Sequence, residues 1–170
     1  GNNAVILTPN ADLKMVIPAL VFGAVGTTGQ RCTSTRRLII HESIYSDVKA
    51  ALVSAYGQLK IGDPLDESNH VGPLIDVDAV EMYLQAIDAA KKEGGQVIVE
   101  GGQLKGAGYE SNCYVKPVII EAKNEFKIVQ HETFAPILYL IKYDGDVNQA
   151  IKIQNDVPQG LSSAIMTTDM

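Results

Sequence analysis

The chain of 170 residues is acidic, with 20 Asp and Glu against 14 Lys and Arg and a net charge of −6 at pH 7. This balance argues against a nucleic-acid-binding surface, while 46% hydrophobic residues are enough for a folded core. No apolar run reaches the ~20 residues that cross a bilayer, since the longest one, residues 15–25, is short and contains Pro18. We therefore expect a globular unit with neither nucleic-acid nor membrane partners.

The first half of the chain predicts strands alternating with helices. Residues 4–7 form a buried strand, and residues 9–12 offer an N-cap and a first-turn acid for a helix whose apolar residues recur at spacings of 3 and 1 up to Val25. A strand at residues 37–40 leads to a second helix that we expect Ser43 to cap and to end near residue 59. A third helix spans residues 76–93, with one apolar face made of Val80, Tyr83, Leu84, Ile87 and Ala90.

The second half of the chain is richer in strands. The pattern predicts a short helix near Ala150 and strands at residues 97–99, 114–120, 137–143 and 161–166. Strands that alternate with helices predict an α/β fold, with a mostly parallel sheet flanked by helices.

Cys32 stands out because its surroundings are polar and rich in glycine. It follows Gly26 and Gly29, and Arg31 directly precedes it. Most free cysteines are small buried hydrophobes, but a cation beside a thiol favours the thiolate, which is the nucleophilic form. The loop therefore favours a catalytic cysteine over a structural one. Cys113 lies at a strand start and is expected to be structural, and two dissimilar cysteines do not make a disulfide framework.

Three ordered motifs resemble the NAD(P)-dependent aldehyde dehydrogenase superfamily. Residues 29–33, Gly-Gln-Arg-Cys-Thr, resemble its active-site cysteine motif, and residues 130–136, Gln-His-Glu-Thr-Phe-Ala-Pro, resemble its second block. Residues 1–4, Gly-Asn-Asn-Ala, resemble the end of its Glu-Leu-Gly-Gly motif. The details are most similar to the subfamily that oxidises α-aminoadipic semialdehyde.

This resemblance implies that residues 1–170 are a fragment of the thiol-bearing catalytic domain. The N-terminal dinucleotide-binding domain and the C-terminal oligomerisation segment of the family then lie outside the chain, together with the general-base glutamate and the asparagine of the oxyanion site. The fragment alone is expected to be inactive, and its parent is expected to be a homodimer or homotetramer in the cytoplasm or the mitochondrial matrix.

The resemblance also assigns roles to single residues. Cys32 attacks the aldehyde to give a thiohemiacetal and then a thioester, while NAD takes the hydride. Glu132 binds the nicotinamide-ribose hydroxyls, and Phe134 packs beside the nicotinamide; without the motif, they are a loop carboxylate and a core aromatic. Arg31 binds a carboxylate on the substrate, since a guanidinium matches a carboxylate bidentately, although it is also compatible with a solvent-facing cation.

Several alternatives remain open from the sequence. A relative that forms an acyl-coenzyme A would keep the fold and the thiol and would differ in what resolves the thioester. An inactive binding module of the same fold is a second alternative, although such a module need not keep both the cysteine loop and Glu132. NADP is the alternative cofactor. No metal site is expected, because His41 and His70 do not stand at ligand spacing from Cys32.

Overall fold

A six-stranded sheet organises the chain, and the computed structural model describes residues 1–169. The strands in chain order are β1 (Asn3–Leu7), β2 (Thr35–His41), β3 (Gln96–Val99), β4 (Gly102–Gln103), β5 (Val115–Lys116), β6 (Val118–Glu121), β7 (Ile137–Tyr143) and β8 (Ser163–Met166). The sheet order is β3-β6-β7-β2-β1-β8, and β4 pairs separately with β5. All neighbours in the large sheet are parallel except β3 and β6, which confirms the mostly parallel α/β sheet.

Five helices cover the two faces of the sheet. They are α1 (Leu13–Val25), α2 (Glu42–Tyr56), α3 (Val77–Lys92), α4 (Lys127–Gln130) and α5 (Val147–Asn155). Alternate residues of β2 point to opposite faces, so Leu38 and Ile40 pack with α1 and α2, while Ile39 packs with α3 and α5. The two apolar clusters give a three-layer molecule, with helices on both sides of the sheet.

Aspartate side chains cap two of the helices. Asp12 accepts a hydrogen bond from Lys14 N at the start of α1, and Asp76 accepts one from Ala79 N at the start of α3. Pro18 lies inside α1, in its second turn.

Other predicted boundaries were wrong for local reasons. His41, not Ser43, caps α2, because its ring accepts a hydrogen bond from Ser43 N, and the helix ends at Tyr56. The predicted strand at residues 114–120 is divided into β5 and β6 at Pro117, which has no N–H for a ladder. Leu84 lies at the margin of the α3 apolar face and is 37% exposed. The short helix α4 was not predicted.

The strand order brings four loops to one edge of the sheet. Because β7, β2, β1 and β8 are adjacent and parallel, their amino ends share this edge, together with the segments that precede them. Those segments include Cys32 before β2 and the motif at residues 130–136 before β7. No helix within residues 1–169 is long and apolar enough to cross a membrane.

Candidate functional site

A left-handed turn at Gly26–Gly29 connects α1 to the loop that carries Cys32. Thr27, Thr28 and Gly29 have φ values of 54°, 56° and 67°. This region is costly for a β-branched residue, and such strain is found mostly where the surrounding structure enforces it, often at functional sites. The turn must therefore be held by its contacts.

Hydrogen bonds to the segment at residues 72–75 help to stabilise this turn. Thr28 Oγ1 donates to Gly72 O at 2.9 Å. Gln30 Oε1 accepts from Ile75 N at 2.9 Å, and its Nε2 lies 3.3 Å from Pro73 O. Gln30 is thus a brace for the cysteine loop, a role that the motif alone did not reveal.

Gly29 brings two of the sequence motifs into contact. A Cβ atom at this position would lie 2.5 Å from Ala135 O and 2.8 Å from Pro136 Cα, both of which are backbone atoms. Only a glycine lets the cysteine loop lie this close to the segment at residues 130–136. The structure therefore places the predicted nucleophile and the predicted cofactor-binding segment side by side.

Cys32 is exposed at the end of this loop. Within residues 1–169 its backbone N–H makes no hydrogen bond, whereas its carbonyl accepts one from Asn3 Nδ2 at 2.8 Å. The thiol is accessible, and a free N–H stands next to it. A reactant bound at Cys32 can therefore be reached by a backbone donor.

Asn3 is a site residue that sequence reasoning missed. It is 3% exposed, and its Nδ2 also donates to Ser34 O at 2.9 Å. Its Oδ1 accepts from the backbone amides of Leu161 and Ser162, each at 2.9 Å. One buried amide therefore ties β1, the cysteine loop and the loop before β8 together.

Arg36 was also missed as a site residue, since in sequence it reads as half of a basic pair. It is 3% exposed, and its Nη1 donates to Ala135 O at 2.8 Å. Its guanidinium carbon lies 5.3 Å from the centroid of the Phe134 ring. Burial lowers the pKa of Arg36 to about 10, against the opposing effect of the Glu132 carboxylate, so it remains a cation at neutral pH.

Arg37, the other half of the pair, is 1% exposed and binds carbonyls rather than a carboxylate. Its Nη2 lies 2.9 Å from Asn2 O, and its Nη1 lies 2.8 Å from Asn124 Oδ1. Burial lowers its pKa to about 10 as well, against the opposing charge of Asp156. Neither arginine of the pair offers its charge to an external polyanion.

Glu132 and Phe134 lie together on the surface beside Arg36. The backbone nitrogen of Gly1 contacts Glu132 Oε1, while Oε2 makes no hydrogen bond within residues 1–169. Phe134 is 42% exposed. Both residues line a cavity of about 430 Å³ that also borders α3 and His131. An available carboxylate oxygen and an open aromatic ring thus stand next to each other.

Arg31 turns away from the thiol and back along α1. Its Nε donates to Thr27 Oγ1 at 2.9 Å, and its guanidinium carbon lies 4.8 Å from the centroid of the Phe22 ring. It lines a second cavity, of about 560 Å³, between α1 and the end of α2. The guanidinium makes no hydrogen bond to Cys32 within the part of the chain that the structure describes.

Metal ligation finds no support in residues 1–169, where no group of three or more His, Cys, Asp and Glu side chains could hold an ion. His41 and His70 accept hydrogen bonds from backbone amides. Their Nδ1 atoms accept from Ser43 N at 3.2 Å and from Lys60 N at 3.0 Å, respectively.

Comparisons with known proteins agree with the three motifs. The model of the aldehyde dehydrogenase family matches residues 1–170. Alpha-aminoadipic semialdehyde dehydrogenase of Mus musculus is 45% identical over 171 residues, which is 100% of this chain and 31% of the mouse protein. Aldehyde dehydrogenase family 7 member A1 of Pisum sativum is 44% identical over 167 residues, covering 98% of this chain and 32% of that protein. The chain thus spans about a third of the length of these relatives.

Solved structures show the same architecture. Betaine aldehyde dehydrogenase of Staphylococcus aureus in complex with NAD+ has a TM-score of 0.95 and 25% identity, over 99% of this chain and 34% of that one. A 1-pyrroline-5-carboxylate dehydrogenase from Thermus with bound NAD has a TM-score of 0.89 and 29% identity, over 99% of this chain and 32% of that one.

Proposed function

Because the chain belongs to the aldehyde dehydrogenase family, we propose that it supplies the nucleophile of an enzyme that oxidises an aldehyde to a carboxylate. The observation that carries this proposal is the contact at Gly29, which sets the exposed Cys32 loop against the segment of Glu132 and Phe134. The strained turn and its braces hold that arrangement in place. An inactive binding module would have no need of this combination.

The chemistry at Cys32 proceeds in two halves. The thiolate sulfur bonds to the aldehyde carbon, the carbonyl electron pair moves to oxygen, and the free N–H of Cys32 donates to that oxyanion. When the thiohemiacetal collapses, the C=O bond re-forms and a hydride leaves carbon. Water then attacks the thioester, the sulfur departs as thiolate, and the carboxylate is released.

The residues beside the thiol fit a nicotinamide cofactor. The free oxygen of Glu132 can accept hydrogen bonds from ribose hydroxyls, and the exposed Phe134 ring offers an apolar surface for a flat heterocycle. When bound, the cofactor supplies the hydride acceptor. Arg36 positions this segment, because its guanidinium lies over the Phe134 ring and donates a hydrogen bond to Ala135 O. We propose NAD, which is bound in the two structural neighbours described above, with NADP as the alternative to be measured.

We propose α-aminoadipic semialdehyde as the substrate. The mouse relative bears the name of that activity, and the carboxylate at the far end of such a substrate needs a cation to bind it. Arg31, directly before Cys32, supplies one that faces a cavity.

The test is aldehyde-dependent NADH formation by the whole protein that contains this chain, with and without coenzyme A. Cys32→Ala should lower the rate by at least about 10³-fold, because no other group in the chain replaces the thiolate. Cys113→Ala is the matched control and should keep the rate near that of the unsubstituted protein. Activity retained in Cys32→Ala contradicts the proposal, and strict dependence on coenzyme A would indicate an acylating relative instead.

We further propose that the protein assembles as a homodimer or homotetramer, takes no nucleic acid or membrane partner, and works in the cytoplasm or the mitochondrial matrix. Both cysteines are free, in keeping with a reducing compartment. Light scattering from the whole protein measures the assembly.

A further inference from the structure

Arg36 carries a buried positive charge beside the segment at residues 130–136, here called the cofactor segment. We propose that this charge destabilises the positively charged, oxidised nicotinamide relative to its neutral, reduced form, so that Arg36 sets the relative affinities of the site for NAD+ and NADH without touching the cofactor. The inference rests on the proposed function, because it concerns the cofactor proposed there.

A register shift in the sheet directs Arg36 toward the site. The register of β1 against β2 shifts between Asn3 and Ala4, which leaves Arg36 as the extra residue of a bulge. A bulge re-aims the side chain that it carries, and bulges are common next to active sites. Nη1 of Arg36 donates to Ala135 O at 2.8 Å, and Nη2 donates to Arg31 O at 3.3 Å. The guanidinium therefore stands between the cofactor segment and the cysteine loop.

The charge of Arg36 has no anionic hydrogen-bond partner within residues 1–169. Its two terminal nitrogens donate to carbonyl oxygens, and its Nε is buried without a hydrogen bond. Buried charges are ordinarily paired, and solvent screens this one little because the residue is 3% exposed. The Glu132 carboxylate opposes it, but the Glu132 side chain is 23% exposed, so that solvent screens it more strongly. The field of Arg36 is therefore weakened rather than cancelled.

The Phe134 ring brings that field close to the cofactor. The guanidinium carbon lies 5.3 Å from the ring centroid, and the 42% exposed ring borders the cavity of about 430 Å³. The ring excludes water from the guanidinium and carries no net charge of its own. A flat heterocycle packed against Phe134 is therefore subject to the charge of Arg36 across a medium of low dielectric constant. Hydride acceptance removes the positive charge of the nicotinamide, so the same field favours that step.

The test measures the dissociation constants of NAD+ and NADH on the whole protein that contains this chain, by NADH fluorescence and its displacement by NAD+. Arg36→Gln keeps a donor for Ala135 O but removes the charge, so we expect the ratio of the NAD+ constant to the NADH constant to fall at least about fivefold. Arg36→Lys keeps the charge and should keep the ratio. Lys105→Gln removes an exposed charge outside the site; it is the matched control and should also keep the ratio.

A second measurement uses the unsubstituted protein and needs no buried substitution. Benzamide adenine dinucleotide has the shape of NAD+ without the charge of its pyridinium ring, and we expect it to bind at least about fivefold more tightly than NAD+. Equal or weaker binding of this neutral analogue overturns the inference, and this measurement decides if Arg36→Gln does not fold.

The outcomes separate this inference from the proposed function. If Arg36→Gln leaves the ratio unchanged, including by weakening NAD+ and NADH equally, or if Arg36→Lys lowers the ratio as much as Arg36→Gln, the charge is not responsible and the inference is wrong. Inactivity of Cys32→Ala would still support the proposed function in that case. If the whole protein binds neither NAD+ nor NADH, the proposed cofactor itself fails.

Discussion

Gly29 is the residue on which the proximity of the two motifs depends. Its φ of 67° is open to glycine at little cost, and its missing side chain leaves room for the backbone of Ala135 and Pro136. The other turn residues, Thr27 and Thr28, also adopt the left-handed conformation, and their hydroxyls form hydrogen bonds with Arg31 Nε and with Gly72 O. The turn is therefore specified by side-chain contacts as much as by glycine.

Replacement of Gly29 by alanine should disturb both stability and chemistry. The new Cβ would overlap backbone that cannot move aside, and we expect a loss of about 3 kcal/mol or more in the free energy of unfolding. Urea denaturation measures this loss. Gly160→Ala is the matched control, since nothing lies within 4 Å of a Cβ there, and a similar loss in both variants would show that the overlap at Gly29 is not responsible.

Among the elements, the hydrophobic period predicted α1 and α3 closely, because it depends on local sequence. Boundaries failed where a neighbouring group competed, as when the His41 ring took the cap of α2 or Pro117 divided a strand. The residues that brace the site, such as Asn3 and Arg36, were not predictable, because their partners are up to 159 positions away in sequence.

One ionic contact joins α2 to the sheet and makes that attachment sensitive to pH. Lys49 Nζ lies 2.9 Å from Glu121 Oε1, and Tyr45 OH lies 2.5 Å from Oε2. Burial alone would raise the pKa of Glu121, but the hydrogen bonds from Lys49 and Tyr45 outweigh it and lower that pKa. Stability from this carboxylate is therefore present above its unfolded pKa of about 4.3 and is lost as pH falls through the lowered value.

Glu121→Gln should accordingly lower the free energy of unfolding at pH 7 by about 1 kcal/mol. The difference from the unsubstituted protein should shrink as the pH falls below the unfolded pKa of about 4.3 and through the lowered pKa of the native carboxylate, which is then neutralised as well. Urea denaturation at a series of pH values gives both quantities, with the exposed Glu67→Gln as control. A difference that persists unchanged at pH 3 would show that the charge is not responsible.

At the scale of the whole molecule, the site is a product of strand order. The segments that precede β1, β2, β7 and β8 are far apart in sequence, and the parallel arrangement of these strands brings them to one edge. The motifs indicated which residues matter, and the alternation of elements indicated a parallel sheet. The motifs meet at the amino edge of the sheet because the strands stand in the order β7-β2-β1-β8. The hydrophobic periodicity of the sequence predicts strands, but it does not predict their order in the sheet.

If the proposed function is right, Cys32 carries the acyl group during turnover. The most direct measurement is acid quenching of the whole enzyme during oxidation of a saturating aldehyde with NAD, followed by proteolysis and peptide mass spectrometry. We expect a thioester on the peptide that contains Cys32, absent without NAD and absent in Cys32→Ser. An acyl group on another residue, or steady NADH formation by Cys32→Ser, would contradict it.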